Sequence, residues 1–236
     1  VNGDINYLEV IARTCTDVDI LGANVYRGAS SGDLFERVAR EMGVPFMYTE
    51  FGADAYDARR ETEDDVSQAG YLLAQWKEIY QQSYGKGGTG ASIGGFIFQW
   101  SDGWWKFRQE ENLDVHDVNA SWATGAYTHD FVDGTNNMNE EWWGIAAKNW
   151  PDATGFFTVT PRTAYHVLKE ALHLDPYGSA TTVAAIADHF DGIGVSDYAH
   201  HYSTGRTLAQ VDKLSTVHLS NVRMHFTTII TNGDQQ

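Results

Sequence analysis

Pro45-Phe46-Met47-Tyr48-Thr49-Glu50-Phe51-Gly52 is the stretch whose reading decides the fold. Its apolar and aromatic side chains lack the clean polar alternation of a half-exposed strand, which predicts a strand over 44–50 buried on both faces. Strands of that kind belong to parallel sheets whose crossover helices cover them. The stretch also closes on a carboxylate, Glu50, and parallel α/β layers present their reactive groups at the carboxyl ends of their strands.

The flanking periodicities agree. Upstream, an apolar run over 18–26 precedes a helix over 33–42, with Leu34, Phe35, Val38, Ala39 and Met42 on one face and Gly43 as its stop. Downstream, Thr62 is the expected cap of a long helix whose Val66, Ala69, Leu73, Trp76 and Tyr80 step by threes and fours, and the glycine-rich 85–90 breaks it. A third strand is expected over 93–100, and Thr160-Pro161 reads as the cap and first turn of a last helix bearing Ala164, Leu168, Ala171 and Leu172. Strand and helix alternate three times, as in a parallel α/β layer.

The ends read as cuts. A helical pattern of Ile5, Leu8, Ala12 and Cys15 starts almost at Val1, and Cys15 is expected as a small core residue. The alternating Val222, Met224 and Phe226 stop at Asn232-Gly233-Asp234, a hairpin-turn signal with no return strand behind it. Residues 175–180 read as a linker, with a short helix over 182–190, so the expected division is 1–174, linker, and an incomplete accessory domain over 181–236.

Composition narrows the chemistry. A net charge of −16 over 236 residues repels phosphate backbones, so no nucleic-acid partner is expected. No run approaches the roughly 18 apolar residues of a membrane span, so no membrane partner is expected either. One cysteine leaves no internal disulfide and no thiolate cluster, and no cofactor motif or metal-ligand set is expected. Oligomeric state is left open, and a periplasmic or secreted setting is weakly favoured.

Three successive strand ends gather reactive groups: Asn24-Val25-Tyr26, then Glu50, then Phe98-Gln99-Trp100-Ser101-Asp102. The connection over 101–159 is far longer than an ordinary loop, and such connections carry function or substructure. Seven of the eight tryptophans lie between 100 and 150, whereas a buried core would spread them along the chain. The same connection holds ten acids against three bases, which suits a neutral polyhydroxylated ligand better than an anionic one. Flat rings with polar edges match the apolar faces of pyranoses, and Asn, Asp and Glu match their hydroxyls.

Asp19-Ile20-Leu21-Gly22-Ala23-Asn24-Val25-Tyr26, the Pro45–Gly52 stretch, Gly95 to Asp102, and Pro161-Arg162-Thr163-Ala164-Tyr165 with Leu168-Lys169-Glu170-Ala171 together resemble the end of a glycoside hydrolase family 2 catalytic domain. The resemblance covers about residues 1–174. It implies the carboxyl-terminal portion, strands six to eight, of a (β/α)8 TIM barrel, followed by the start of a second, partly β domain. It implies a retaining glycosidase acting on a β-linked oligo- or polysaccharide, with Glu50 as nucleophile and Tyr26 orienting it. Asn24, Phe98, Trp100, Asp102, Trp104 and Trp105 are the expected sugar contacts. Phe98 and Trp100 stand in exchanged order relative to the family pattern and are expected on one strand face.

The family's acid/base glutamate ends the fourth strand, which by this resemblance lies upstream of Val1. The chain alone is therefore expected to be inactive and prone to associate through open sheet edges. Within the chain, Asp102, Glu110, Glu111, Glu140 and Glu141 are the alternatives, Asp102 being nearest in topology. A transglycosylase, or a non-catalytic carbohydrate-binding protein using the Trp-rich loop, are the other expectations.

Overall fold

The computed structural model describes residues 1–106, 115–173, 190–193 and 195, all within one compact unit, Val1–Arg206. Its elements run in the order α1 (Leu8–Thr14), β1 (Leu21–Asn24), α2 (Leu34–Glu41), β2 (Phe46–Phe51), β3 (Tyr56–Asp57), β4 (Thr62–Glu63), α3 (Asp65–Gln81), β5 (Ser92–Ile97), a 3-10 turn (Glu140–Trp142), β6 (Ala146–Lys148), β7 (Val159–Pro161) and α4 (Thr163–Ala171). The expected linker at 175–180 lies outside the described residues. So does the accessory region over 181–236, apart from 190–193 and 195.

Strands β1, β2 and β5 form a parallel sheet in that order, with β2 in the centre. Two short antiparallel pairs, β3 with β4 and β6 with β7, complete a mixed α/β fold with no closed barrel among the described residues. The register of β2 is irregular where it matters. Ala23 pairs with Tyr48 but Asn24 pairs with Glu50, skipping Thr49, and the pairing with β5 slips between Tyr48 and Phe51. One extra residue in β2 is a bulge, the device by which a strand re-aims a side chain. Phe46, Tyr48 and Phe51 all turn into the core, a spacing that strict alternation forbids.

The core lies between the sheet and its helices. Leu21 and Ala23 of β1 and the three β2 aromatics meet Leu34, Phe35 and Val38 of α2 and Leu72, Trp76 and Ile79 of α3, with Ala164, Val167 and Leu168 of α4 behind. Trp76 stacks on Phe51 at 6.1 Å, and Phe35 meets Phe46 edge-on at 5.8 Å. The other face of the sheet departs from the expectation of burial on both sides: Ile93 and Phe96 of β5 are 52% and 45% exposed. The helices bury Leu21, Ala23, Phe46, Tyr48 and Phe51, whereas the remaining positions of β1 and β2 are only half-buried.

Local starts and stops differ from the sequence reading where tertiary partners intervene. Thr62 does not cap α3, because Thr62–Glu63 pairs with Tyr56–Asp57. Asp64 caps instead, accepting from the Ser67 amide at 3.0 Å. Thr160-Pro161 belongs to β7, and α4 begins at Thr163, whose amide donates to Asp65 Oδ2 of α3 at 3.0 Å. A side chain 98 residues away thus satisfies one of the orphan donors of this helix. Cys15 is exposed rather than buried, since α1 ends at Thr14 and the apolar face is not prolonged past it. No described helix is long and apolar enough to cross a membrane.

Candidate active site

Glu50 stands near the carboxyl end of the central strand, turned by the bulge out of the helix-facing row. The Tyr26 hydroxyl, two residues past β1, donates to Glu50 Oε2 at 2.8 Å. Burial, reinforced by the charge of Glu50, pushes the Tyr26 phenol up, so it remains a proton-bearing donor. Beside it Thr49 donates through Oγ1 to Asn24 Oδ1 at 2.7 Å, and the Asn24 amide donates to Asn2 Oδ1 at 3.3 Å. Asn2 arrives because the first residues run along the free edge of β1: the Asn24 amide donates to Val1 O and the Asp4 amide to Asn24 O, both at 3.0 Å.

These strand-end groups form one side of a pocket of about 340 Å³ lined by Asn2, Asn24, Tyr26, Glu50, Phe98, Lys106, Trp122, Glu140 and Trp143. The size lies within the range of small-ligand sites, roughly 300–1,000 Å³. Its other side comes from the long connection, which has a core of its own. Ala53, Tyr127, Met138 and Trp143 are buried together, with Tyr26, Tyr71, Phe98, Trp122 and Ala126 packed against them. Trp143 meets Tyr26 edge-on at 4.8 Å and Phe98 at 6.0 Å. The Tyr127 hydroxyl donates to Gly52 O at 2.6 Å, tying this core to the turn after β2. Gly52 permits the approach: a Cβ there would stand 2.1 Å from Phe98 O.

A buried ion pair anchors the same connection from behind. Arg162, just before α4, grips Asp102 with two bonds, Nη1 to Oδ1 at 2.5 Å and Nη2 to Oδ2 at 2.8 Å, and its Nε reaches Glu63 at 2.7 Å. Asp102 also accepts from the Gly144 and Lys148 amides. Nearby, His116 stacks between Trp104 and Trp142, with ring centres 5.1 and 3.7 Å away. Burial holds this imidazole down at about 4, and burial next to Asp117 and Asp102 pushes the Glu141 carboxyl up to about 8.

Several expected sugar contacts are placed elsewhere. Asp102 is buried away from the pocket lining, with both its oxygens bonded by Arg162 and backbone amides. Phe98 and Trp100 do not share a strand face. Regular β5 ends at Ile97, and beyond it the backbone pairs with 143–146, through Gln99 N to Trp143 O and Ala146 N to Trp100 O. Phe98 therefore lines the pocket, whereas Trp100 lies half-exposed against Tyr165, outside it. Trp104 is buried among His116, Trp150 and Phe157 and holds the loop together. Trp105 is exposed and is not part of the lining, although Lys106 Nζ sits 4.8 Å above its ring.

Sequence reasoning missed Asn2 and Lys106 as pocket residues. It counted Trp122 and Trp143 among the loop's tryptophans and named Glu140 as an alternative second acid. The run Asn139-Glu140-Glu141-Trp142-Trp143 forms a 3-10 turn, in which residues three apart share a face. Glu140 and Trp143 line the pocket while Glu141 is buried and Trp142 stacks on His116. Among the described residues no group of three His, Cys, Asp or Glu side chains is placed to hold a metal ion. Glu110 and Glu111 lie outside the described residues. No protein-family model matches the chain, and no curated protein sequence matches it.

Proposed function

We propose that this chain carries the nucleophile half of a retaining β-glycosidase site on the last three strand-helix units of a TIM barrel, with Glu50 attacking the anomeric carbon of an oligo- or polysaccharide. The observation that carries the reading is the Tyr26 hydroxyl 2.8 Å from Glu50 Oε2 inside a pocket walled by Tyr26, Phe98, Trp122 and Trp143. A nucleophilic carboxylate must stay ionised, and a phenol whose own ionisation is suppressed donates to it without competing for the charge. The aromatic walls suit the apolar faces of a pyranose.

Retention needs a second carboxyl about 5–5.5 Å from the first, to protonate the leaving oxygen and then activate water. Among the described residues Glu140 is the other carboxyl of the pocket, and Lys106 lies 3.5 Å from its Oε2 while Ser121 donates to its Oε1 at 3.0 Å. Both contacts come from donors, so the pocket uses Glu140 as an acceptor. Following the resemblance, the proposal assigns the proton donor to a glutamate at the end of the barrel's fourth strand. The same observation favours a second reading, in which the chain by itself binds glycan without cleaving it.

The test isolates the nucleophile. A 2-deoxy-2-fluoro β-glycoside with a dinitrophenolate leaving group needs no proton donor, so it reports attack by Glu50 alone. Mass spectrometry of the treated chain is expected to show one fluoroglycosyl adduct on the peptide holding Glu50, absent in Glu50→Gln. An unlabelled chain, or an adduct at another residue, would overturn the catalytic assignment.

A further inference from the structure

Lys106 and Glu140 both line the pocket, and each is held by a partner besides the other. The ammonium sits 4.8 Å from the centres of both the Phe98 and Trp105 rings, so two aromatic faces hold it. Ser121 holds the carboxylate at 3.0 Å. The gap between the charges, 3.5 Å, is longer than a tight charge-assisted bond, and the side chains are 22% and 28% exposed. Donors and acceptors on the pair therefore remain for a ligand.

We propose that Lys106 and Glu140 select an uncharged sugar bearing two adjacent free hydroxyls, an inference that rests on the glycosidase reading of this pocket. An ammonium only donates and a carboxylate only accepts, whereas a hydroxyl does both. One hydroxyl of a vicinal diol can donate to Glu140 while its neighbour accepts from Lys106. Charged sugars fit worse. A uronate carboxylate, which only accepts, would take the Lys106 side and stand beside Glu140, and a hexosamine ammonium, which only donates, would take the Glu140 side and stand beside Lys106, so each meets a like charge that a hydroxyl does not. A deoxy sugar would leave one member of the pair without its ligand bond.

The experiment is titration of the full chain, followed by tryptophan fluorescence, with the methyl β-glycosides of glucose, galactose and mannose and with methyl β-glucuronide and methyl β-glucosaminide. One neutral hexoside is expected to bind about tenfold or more tightly than either charged sugar. Its monodeoxy analogues are expected to lose about tenfold at two adjacent positions, and Lys106→Met and Glu140→Gln each to lose a similar factor for the parent hexoside. Preference for the uronide or hexosaminide, losses at non-adjacent positions, unchanged affinity in both variants, or no binding by any of the five overturns the selection. The glycosidase reading falls with it only if Glu50 also stays unlabelled by the fluoroglycoside.

Discussion

The two sides of the pocket are built by different physics. Tyr26 and Glu50 stand at the ends of neighbouring strands, where the ladder places each backbone and one bulge in β2 sets the direction of Glu50. Trp122, Glu140 and Trp143 stand outside the sheet, held by a single bridge between Trp122 and Met138, a 3-10 turn and a bond from Gln99 N to Trp143 O, and backed by a small buried core and the Asp102–Arg162–Glu63 ion pairs. A nucleophile tolerates little displacement, and the proposal places it on the side built by the sheet. Ligand-reading groups lie on the side that can change without disturbing the sheet.

Arg162→Met tests that contrast most severely. It leaves the Asp102 carboxylate buried without its cation, and removing one partner of a buried pair costs about 3–5 kcal/mol. Urea denaturation is expected to show a loss of that order, with near-UV circular dichroism of the loop tryptophans lost before far-UV signal. Simultaneous loss of both signals would show that the two sides are one cooperative unit.

Tyr26→Phe addresses the strand side alone. A hydrogen bond to a charged group is worth about 1.5–3 kcal/mol, so fluoroglycoside labelling of Glu50 is expected to slow by about tenfold to a hundredfold while the thermal midpoint holds. A rate within twofold of wild type would mean the phenol does not serve the carboxylate.

Gly52→Ala strikes the seam between the sides, since the added Cβ stands 2.1 Å from Phe98 O and 3.2 Å from Trp143. Overpacking of this kind costs about 1–3 kcal/mol. Reduced stability together with slower labelling is expected; normal stability and labelling would show that the seam is loose.

The smallest effect is electrostatic. The Glu141 carboxyl, pushed up to about 8 by burial, keeps its proton in the folded chain where an unfolded glutamate, near about 4.3, has released it. The folded state then binds more protons between those values, so this group's contribution to stability is lost as pH rises through them. His116, held down at about 4, acts with opposite sign up to about 6.5. Between pH 6.5 and 8 the thermal midpoint is expected to fall, and Glu141→Gln to flatten the slope; an unchanged slope would assign it to other groups.

The strand-end positions of Glu50 and Tyr26 were legible because a strand announces itself by composition and its carboxyl end follows from its direction. The helix faces were legible for the same reason: Leu34, Phe35 and Val38, and Ala69, Leu73 and Trp76, repeat at helical spacing and are buried in the core. The pairing of Thr62–Glu63 with Tyr56–Asp57 overrode a sound local cap, and the pairing of Val159–Pro161 with β6 overrode another. Asp102 read as a ligand because nothing within several residues of it reveals Arg162.

Local order in this chain, the strand-helix alternation and the acid at the end of its central strand, is set by short-range spacing and is written in the sequence alone. Which tryptophans face the pocket, which acids are silenced by a cation, and how Asn2 and Lys106 reach the same cavity were decided by the tertiary structure. Those outcomes depend on contacts between residues tens of positions apart, and the energy of such contacts exists only once the chain has closed on itself.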